Sequence, residues 1–406
     1  MVLHSYNPPT HIQGHYPCRP HFMRACCSLI HRRLFMSDVL IRSVSLRQVD
    51  LPPKVVRTDA IQSFVTQETL FLTLHCSDGI EATGYAYTIG TGGSSVIALL
   101  KDHLAPLLIG RSPVDNEAIW KDLFFSTHAT AVGAITSLAL CCVDTALWDW
   151  RAKSQALPLW RLLGGAQPKV PVYTTEGGWL QLSTSELVEQ ALEAKSLGFK
   201  GTKIKIGKPH VSEDLARLTA VRLAVGPDFD VMTDANQGFN RPESVRRARA
   251  FDGLDLSWIE EPMPAEDVSG HKQLREHTLI PVAVGESMYH LSQFREYLEQ
   301  SACSIVQPDV SRIGGITPWI KVAHLAESFN VPVCPHFLME LHVSLCAAVP
   351  NAAWVEHIPQ LDDITTSRVL IKDGYAHAPS THGLGIEWDW AAIDKKQKFK
   401  LQVSSA

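Results

Sequence analysis

Alternating apolar and polar positions mark the first patterned part of the chain. Residues 39–51, VLIRSVSLRQVDL, alternate in this way, which is typical of a half-buried β-strand. Residues 68–87, ETLFLTLHCSDGIEATGYAY, predict a hairpin that turns at residues 77–79. The intervening residues 54–67 predict a polar loop, and residues 94–165 predict helices, the last of which ends at a Gly-Gly pair. We therefore expect an α+β domain here.

A different pattern follows, in which short apolar runs alternate with helical segments. The eight runs are KVPVYTT (169–175), GTKIKIG (201–207), DFDVMTDA (228–235), LSWIEEP (256–262), IPVAVGES (280–287), CSIVQPD (303–309), VPVCPH (331–336) and AAWVEH (352–357). Strands that alternate with helices indicate a parallel sheet, and eight such strands indicate a closed barrel. The tail from about Asp373 has turn signals without this pattern, and we expect it to return over another part of the fold.

The first 35 residues differ from the rest, with four arginines, five histidines, three cysteines and no acidic residue. They contain no continuous apolar segment, which disfavours a secretory signal, whereas a transit peptide remains an alternative. A Cys/His metal cluster is a second alternative, although the spacings match no zinc pattern. Because MSDVLIRSVSL from Met36 is typical of the start of a domain, we expect residues 1–36 to be an extension outside the fold.

Composition narrows the class of protein. The 406 residues are 45% hydrophobic, enough for a large core, and the formal net charge of −5 disfavours nucleic acid as a partner. No apolar run approaches the roughly 18 residues of a membrane span, so we expect no membrane partner and a cytoplasmic location. The nine cysteines include no CxxC pair, which favours free thiols in a reducing compartment.

Titratable residues recur at the carboxyl ends of the predicted barrel strands. The series is Lys205, Asp234, Glu260, Glu286, Asp309, His336 and Glu356, with separations of 29, 26, 26, 23, 27 and 20 residues. Each separation is close to one strand plus one helix. A single acid at such a position is more often a helix cap or a solvated loop residue. Seven in succession are expected to converge at one mouth, where the active sites of barrels lie.

Three acids from neighbouring strands predict a metal site. Asp234, Glu260 and Glu286 offer only oxygen ligands, which suit Mg²⁺, whereas zinc is disfavoured because no histidine or cysteine is among them. Without a cation these carboxylates would repel one another and raise each other's pKa. A metal-free acidic rim is the alternative.

The remaining groups predict acid–base chemistry on either side of that metal. His336 follows the strand next to Asp309, and an aspartate beside a histidine orients the imidazole and raises its basicity. Lys203 and Lys205 alternate with isoleucines, so both lysines share one face of their strand. Glu356 offers a carboxylic acid to a substrate carboxylate. Together these groups suit removal of a proton next to a carboxylate, with divalent charge stabilising the enediolate.

Seven motifs together resemble the enolase superfamily, mandelate racemase subgroup, over nearly all of residues 37–406. They are KIKIG (203–207), TDANQ (233–237), WIEEP (258–262), VGES (284–287), QPDVSRIGGIT (307–317), PHFLMELH (335–342) and WVEHI (354–358). The resemblance implies a modified TIM barrel, (β/α)₇β, over 161–370 and an α+β capping domain over 37–160, to which the tail 371–406 returns. It also implies that two cap loops, within 55–67 and around 88–95, close over the site.

The same resemblance implies roles for individual residues. Asp234, Glu260 and Glu286 would bind Mg²⁺, and Lys205 and the His336–Asp309 pair would be the two acid–base groups. Lys203 would hold the substrate carboxylate and lower the pKa of Lys205, Glu356 would donate to the enediolate, and Asn236 would lie near metal and substrate. A homo-oligomer, either a dimer or an octamer, is implied as well.

Within the subgroup, GGWLQ (177–181), DVSRIGGIT and HFLMELH are most similar to the acid-sugar dehydratases of the galactarate/L-talarate branch. The implied activity is elimination of the β-hydroxyl from an acid-sugar carboxylate such as a hexarate, which gives a 2-keto-3-deoxy product. Candidate substrate contacts are the polar residues Thr58, Asp59, Thr174, Thr175, Gln237, Arg312 and His357. Two alternatives remain open, namely a racemase or epimerase that uses the same Lys/His pair, and a non-catalytic relative.

Overall fold

The computed structural model describes residues 39–130 and 133–404. The extension predicted for residues 1–36, and the transit peptide or metal cluster weighed for it, lie outside the described residues. Within the described part, no helix is both long and apolar enough to cross a membrane.

An antiparallel sheet forms the base of the cap. Its strands include β1 (Ile41–Leu51), β4 (Gln67–Cys76) and β5 (Glu81–Thr88), and β1 pairs along its length with β4. The predicted hairpin is present, since β4 and β5 pair from Glu68↔Thr88 to His75↔Glu81. The turn between them places Gly79 at a φ of 83°, a left-handed conformation that favours glycine.

The segment predicted as a polar loop contains a small hairpin. Its strands are β2 (Arg57–Thr58) and β3 (Ser63–Phe64), which pair antiparallel. We call residues 54–66 the flap. Four of its apolar side chains are exposed, namely Val55, Val56, Ile61 and Val65.

Helices complete the cap. They are α1 (Gly93–Leu99), which continues through one π turn and one 3-10 turn to Leu108, α2 (Asn116–Ser126), α3 (Ala134–Ser154) and α4 (Leu159–Leu162). Helix α3 is buried over most of its circumference and lies directly on β5. This close packing requires Gly84, because a Cβ there would stand 2.2 Å from the Cys142 carbonyl oxygen.

Parallel strands form the barrel. They are β6 (Lys169–Thr174), β7 (Gly201–Lys205), β8 (Asp230–Asp234), β9 (Trp258–Glu260), β10 (Val282–Val284), β11 (Ile305–Val306) and β12 (Val355–His357). Neighbouring strands pair in sequence order from β6 to β11, and β12 pairs with β6. The helices between and after them are α5 (Thr184–Ser196), α6 (Val211–Val225), α7 (Arg241–Phe251), α8 (Val268–Arg275), α9 (Leu291–Glu299), α10 (Ile316–Ser328) and α11 (Met339–Ala348).

The run VPVCPH makes only a single-residue bridge instead of a full strand. Val333 bridges Val306 on one side and Ala352 on the other, so the ring of strands still closes at this point. Pro332 and Pro335 flank the bridge, and proline has no backbone N–H to extend a ladder.

Two layers of apolar side chains surround the strands. Ile204 and Ile206 of the β7 segment belong to the large core under the helices. The opposite faces fill the barrel with a smaller cluster of Tyr173, Met232, Trp258, Ala283, Ile305 and Cys334. Side chains that lie just beyond this apolar cluster, toward the carboxyl ends of the strands, are therefore at the mouth of the barrel.

The tail returns to the cap, as expected, and it also pairs with the barrel. Strands β13 (Leu370–Lys372) and β14 (Tyr375–His377) form a hairpin, and β14 pairs antiparallel with β6. After α12 (Trp390–Lys396), β15 (Gln397–Ser404) pairs antiparallel with β1 and completes the sheet of the cap. The predicted fold, a modified TIM barrel with an α+β cap closed by the tail, is confirmed.

Candidate active site

Strand register brings the three predicted metal ligands together. Asp234 pairs in register with Lys205 of β7 and with Glu260 of β9, and Glu286 follows β10 next to them. Carboxylate oxygens of Asp234, Glu260 and Glu286 lie within 4.8 Å of one another, and all three residues are buried. Such a cluster of hard oxygen donors fits a divalent cation of the Mg²⁺ type. In addition, Glu286 Oε2 is buried and accepts no hydrogen bond.

Lys205 lies at the edge of this cluster. Its ammonium group forms an ion pair with Asp234 and donates to Asn236 Oδ1 at 2.9 Å. Burial works to lower the pKa of Lys205, but the charges of Asp234, Glu286 and Glu260 together outweigh it, and the pKa is raised above its ordinary value. The Lys203 charge acts to lower that pKa but does not reverse the net rise.

Lys203 lies one layer deeper and is 1% exposed. Its Nζ is 2.8 Å from Glu260 Oε1, 2.9 Å from Glu356 Oε1 and 3.7 Å from Asp234 Oδ2. Burial opposes its charge, but the Glu260 and Glu356 carboxylates hold its pKa well above the usual range. Lys203 therefore supports the carboxylates from beneath, and its predicted contact with a substrate carboxylate stays a prediction.

Glu260 is fixed by three donors. Besides Lys203, Trp258 Nε1 donates to Oε2 at 2.9 Å and Gln307 Nε2 donates to the same atom at 2.7 Å. Burial, together with the Asp234 charge, raises the pKa of Glu260 to about 7. Because Trp258 and Gln307 both donate to Oε2 of Glu260, the other oxygen, Oε1, faces Lys203 and the neighbouring acids.

His336 and Asp309 form a dyad on the opposite side. His336 Nδ1 lies 2.9 Å from Asp309 Oδ2, and His336 Nε2 lies 3.3 Å from Glu286 Oε2. Burial would lower the pKa of His336, but the Glu286 charge and the Asp309 hydrogen bond raise it. Although burial disfavours its charge, Asp309 keeps a pKa of about 2, mainly because of its bond to His336.

The cap and the loop after β11 hold the dyad in place. Tyr87 OH donates to Asp309 Oδ2 at 2.6 Å, and the Ser311 backbone N–H donates to Oδ1 at 2.8 Å. Arg312 Nη1 lies 3.2 Å from Glu286 Oε1. Sequence reasoning missed Tyr87, because it is 222 positions from its partner and lies within an ordinary strand of the cap.

Glu356 is anchored as a carboxylate. It accepts hydrogen bonds from the Thr175 hydroxyl and, at 2.8 Å, from the Phe337 backbone N–H. Burial favours the neutral acid, but Lys203 and these donors hold the pKa of Glu356 well below its ordinary value. A charged Glu356 accepts rather than donates in this arrangement, so its predicted donation to an enediolate stays a prediction.

Backbone strain is concentrated at the mouth. Asn236 and Gln237 have φ angles of 43° and 62°, Glu261 has 36°, and Phe337 and Leu338 have 60° and 27°. Residues other than glycine rarely adopt a backbone conformation with positive φ, and residues that do so cluster at functional sites. At Asn236 the turn directs the side-chain oxygen toward Lys205.

A cavity of about 100 Å³ lies above these groups. Of the predicted site residues, it is lined by Lys205, Asn236, Glu286, Arg312, His336 and Glu356. Asp234, Glu260, Asp309 and Lys203 lie behind the lining. Thr58 also lies outside it, because its hydroxyl contacts Ser63 within the flap while the next residue, Asp59, faces the cavity.

The lining also includes residues that are not among the predicted site residues. They are Ile61, Gln62 and Phe64 of the flap, Ile89, Trp179, Glu261, Ser287, Phe337 and Ile358. Trp179 lies within the GGWLQ motif and Glu261 within WIEEP, so the motifs were the signal for these two. Both cap loops expected to close over the site contribute, through the flap and through Ile89.

Comparisons with known proteins agree on the family. The sequence model described as "Mandelate racemase / muconate lactonizing enzyme, N-terminal domain" matches residues 41–164. The one described as "Enolase C-terminal domain-like" matches residues 186–392. Together they account for most of the described residues.

Individual relatives are similar over most of their length. L-talarate/galactarate dehydratase of Salmonella typhimurium is 36% identical over 308 residues, which are 76% of this chain and 77% of that protein. 3,6-Anhydro-alpha-L-galactonate cycloisomerase of Streptomyces coelicolor is 33% identical over 353 residues, 86% of this chain and 97% of that protein. The crystal structure of L-talarate dehydratase from Polaromonas sp. JS666, complexed with Mg and L-glucarate, has a TM-score of 0.87 and 33% identity and covers 91% of this chain and 100% of that chain.

Proposed function

Because this chain belongs to the mandelate racemase/muconate lactonizing enzyme family of the enolase superfamily, we propose that it is a Mg²⁺-dependent dehydratase of acid sugars. One observation carries the proposal. A lysine and a histidine–aspartate dyad stand on opposite sides of three carboxylates whose oxygens lie within 4.8 Å of one another. Relatives of known activity include dehydratases, and a similar structure contains Mg and an acid sugar.

Mg²⁺ is the cofactor, and Asp234, Glu260 and Glu286 are the residues that would hold it. When bound, Mg²⁺ supplies positive charge that stabilises the negative charge developing on the substrate carboxylate. Lys203 fixes Glu260 from below, and Arg312 fixes Glu286 from the side. These contacts keep the ligands in position before a cation arrives.

Lys205 is the base in the proposed reaction. Its Nζ would act in the neutral form, which a cation held by Asp234 would favour by offsetting the charge that raises the pKa of Lys205. The neutral Nζ takes the proton from the carbon next to the substrate carboxylate, and the electron pair of that C–H bond moves into the carboxylate. Asn236 Oδ1 holds Nζ at 2.9 Å and so fixes its direction. The buried setting excludes water, which strengthens the electrostatic contacts around the base.

His336 completes the elimination as the acid. Its Nε2 proton goes to the β-hydroxyl as the C–O bond breaks, so the leaving group departs as water. Asp309 holds Nδ1 and keeps the proton on the imidazole until it is needed. The resulting enol tautomerises to a 2-keto-3-deoxy acid sugar.

A racemase or epimerase is the alternative, since it shares the first step. Two acid–base groups on opposite faces allow a proton to be removed by one and returned by the other. This alternative predicts exchange of the α-proton with solvent deuterium and no keto product. A homo-oligomer, either a dimer or an octamer, stays a prediction.

Two substrate classes meet the needs of the reaction. A hexarate of the galactarate or L-talarate kind is the class implied by the motifs and by the name of the Salmonella relative. A monocarboxylic sugar acid is the class named for the Streptomyces relative and for an arabinonate dehydratase that is 31% identical. The classes differ at the far end of the substrate.

The test is a panel of acid sugars, incubated with the protein and Mg²⁺ and assayed for 2-keto acid. We expect keto acid from at least one member, and loss of it with Lys205→Ala and with His336→Ala. Exchange of the α-proton without keto acid would establish the epimerase instead. Neither keto acid nor exchange from any member would exclude both activities.

A further inference from the structure

Trp179 of the GGWLQ motif lies between the base and the flap. Its side chain is 2% exposed and lines the cavity. The Lys205 ammonium nitrogen lies 5.6 Å from the centre of the Trp179 ring, and the Arg57 guanidinium carbon lies 5.8 Å from it. Both distances are within the range of a cation–π interaction. The Phe64 ring packs edge-on against the same indole, with its centre 5.9 Å away. One side chain therefore interacts with the base and with two residues of the flap.

The backbone around Trp179 is fixed to strand β7 next to the base. The Lys205 backbone N–H donates to the Gly178 carbonyl at 2.7 Å, and Arg217 Nη1 donates to the Lys205 carbonyl at 3.1 Å. Arg217 also donates to the Trp179 carbonyl at 3.4 Å through Nη2. Position 178 requires glycine, because a Cβ there would stand 1.8 Å from the Lys203 carbonyl oxygen. A shift of this backbone would therefore break the hydrogen bond that fixes the Lys205 backbone.

A partly buried ion pair joins Trp179 to the flap. Trp179 Nε1 donates to Glu176 Oε2 at 3.2 Å, and the other oxygen of Glu176 pairs with Arg57. Arg57 is 4% exposed and also donates to the Pro359 carbonyl at 3.3 Å. Because the Arg57 charge is buried, loss of the Glu176 carboxylate would leave that charge without its anion and disfavour this position of the flap.

Two further hydrogen bonds connect the same segment with the flap. The Leu180 backbone N–H donates to the Thr58 carbonyl at 2.9 Å. Gln181 Nε2 donates to the Val56 carbonyl at 2.6 Å. Residues 176–181 therefore contact the flap through backbone and side chains, while their backbone also contacts β7 beside the base. The GGWLQ motif is thus a physical connection between the flap and the base.

We propose that Trp179 is a positioning residue that transmits the position of the flap to the Lys205 side chain. The inference rests on the proposed dehydratase, in which Lys205 is the base. The indole forms a wall next to Nζ, and Asn236 Oδ1 accepts a hydrogen bond from Nζ at 2.9 Å. Together they direct Nζ to one position, and misplacement by about 1 Å costs roughly a hundredfold in rate. Release of the flap frees the indole and so slows proton removal.

The first experiment measures α-proton removal, taken as deuterium in recovered substrate plus keto acid formed, with an acid sugar that reacts. With saturating substrate and Mg²⁺, we expect Trp179→Leu to lower kcat by about tenfold or more, with a smaller change in KM. Trp179→Phe keeps a ring beside Nζ and should recover most of that loss. Trp390→Leu is the matched control, since Trp390 has the Arg47 guanidinium 4.8 Å from its ring centre but does not line the cavity. An unchanged kcat in Trp179→Leu, or a loss confined to KM, overturns the positioning role.

The second experiment tests the connection without using activity. Glu176→Gln keeps an acceptor for the indole N–H but removes the charge that faces Arg57. We expect this variant to speed hydrogen–deuterium exchange about threefold or more in peptides that cover the flap and also in peptides that cover the end of β7. Glu299→Gln, which removes a charge paired with Arg295 on the surface, should change neither. Faster exchange in the flap alone, or in neither place, overturns the connection.

The two experiments fail separately. If no acid sugar gives proton removal, the proposed dehydratase is overturned, and the role of Trp179 toward a base falls with it. Hydrogen–deuterium exchange in the flap and in β7 then still decides whether the two are connected. If Trp179→Leu is unstable in thermal unfolding, Glu176→Gln replaces it in the activity assay. We expect that variant to lower kcat by about threefold or more, and an unchanged kcat overturns the positioning role.

Discussion

Replacing Asp309 by Asn should separate the two halves of the proposed reaction. The Asn side-chain oxygen can still accept the Ser311 N–H that Asp309 Oδ1 accepts at 2.8 Å. Its amide group, however, donates toward His336 Nδ1, so the imidazole must accept there and loses the charge that stabilises its protonated form. Lys205, on the other side of the cluster, keeps its contacts. Proton removal from the substrate should therefore continue while protonation of the leaving hydroxyl slows.

The magnitude follows from the charge of Asp309. Its pKa falls from an ordinary 3.8 to about 2, despite complete burial, mainly because of His336. Slightly less than two pKa units, at about 1.4 kcal/mol each, correspond to about 2.5 kcal/mol, or roughly a 50- to 100-fold change. The same interaction stabilises the protonated imidazole, so kcat for elimination should fall by about this factor.

The assay measures both half-reactions in one sample. In deuterated buffer, keto acid formation reports elimination, and deuterium in recovered substrate reports proton removal by Lys205. We expect Asp309→Asn to raise the ratio of exchange to elimination by about 50-fold, while Tyr87→Phe, which removes only the 2.6 Å hydrogen bond to Asp309, should change it much less. An equal loss of exchange and elimination in Asp309→Asn would refute the division of labour between the two sides.

Three further predictions address the base, the ligands and pH. Lys205→Ala should abolish both exchange and keto acid formation but leave Mg²⁺ binding, which calorimetry would detect; retained exchange would show that another group is the base. Glu260→Gln should weaken Mg²⁺ binding about tenfold or more in the same calorimetric titration, since it removes one of three charged ligands, whereas the exposed Glu299→Gln should bind normally. His342 is buried, it accepts the Val310 N–H at 3.2 Å through Nε2, and burial lowers its pKa from 6.5 to about 4. Since the folded-state pKa lies below the unfolded one, this histidine's contribution to the free energy of unfolding is complete above about pH 6.5 and is lost as pH falls toward 4, by up to about 3.5 kcal/mol. Urea unfolding at pH 7 and pH 4.5 should show a smaller difference for His342→Gln than for the wild type, and identical differences would contradict this.

The site residues at the ends of the barrel strands could be predicted from sequence, because the barrel imposes a regular spacing on them. Asp234, Glu260 and Glu286 follow consecutive strands, and parallel register places them side by side without any further information. Burial of those strands on both faces explains their continuous apolar runs. The VPVCPH run could not be assigned its true extent, because its apolar pattern is that of a strand while its two prolines limit it to one bridge.

Contacts between the cap and the barrel could not be predicted from sequence in the same way. Tyr87 donates a hydrogen bond to Asp309 from strand β5. The sequence pattern of that strand indicates that Tyr87 is buried but not which residue it contacts. Within the flap, Thr58 was a candidate beside Asp59, and only the fold shows which of the two faces the cavity. A two-residue strand has no periodic pattern from which the direction of its side chains could be predicted.

The alternation of side chains along a strand does not show how deep each residue lies in the barrel, and depth distinguishes the two lysines of β7. Alternation places Lys203 and Lys205 on one face, but two residues of a strand span about 6.6 Å along its axis. That distance puts Lys205 at the cavity and Lys203 beneath the carboxylates, where it is 1% exposed and contacts Glu260 and Glu356. The carboxylates at the mouth are therefore held by the buried Lys203 ammonium, which cannot move without losing its ion pairs with Glu260 and Glu356. In the flap, by contrast, Asp59 is held by hydrogen bonds from the backbone N–H groups of Ile61 and Gln62. Substitutions in the flap are therefore expected to disturb the structure of the barrel mouth less than a substitution of Lys203 would.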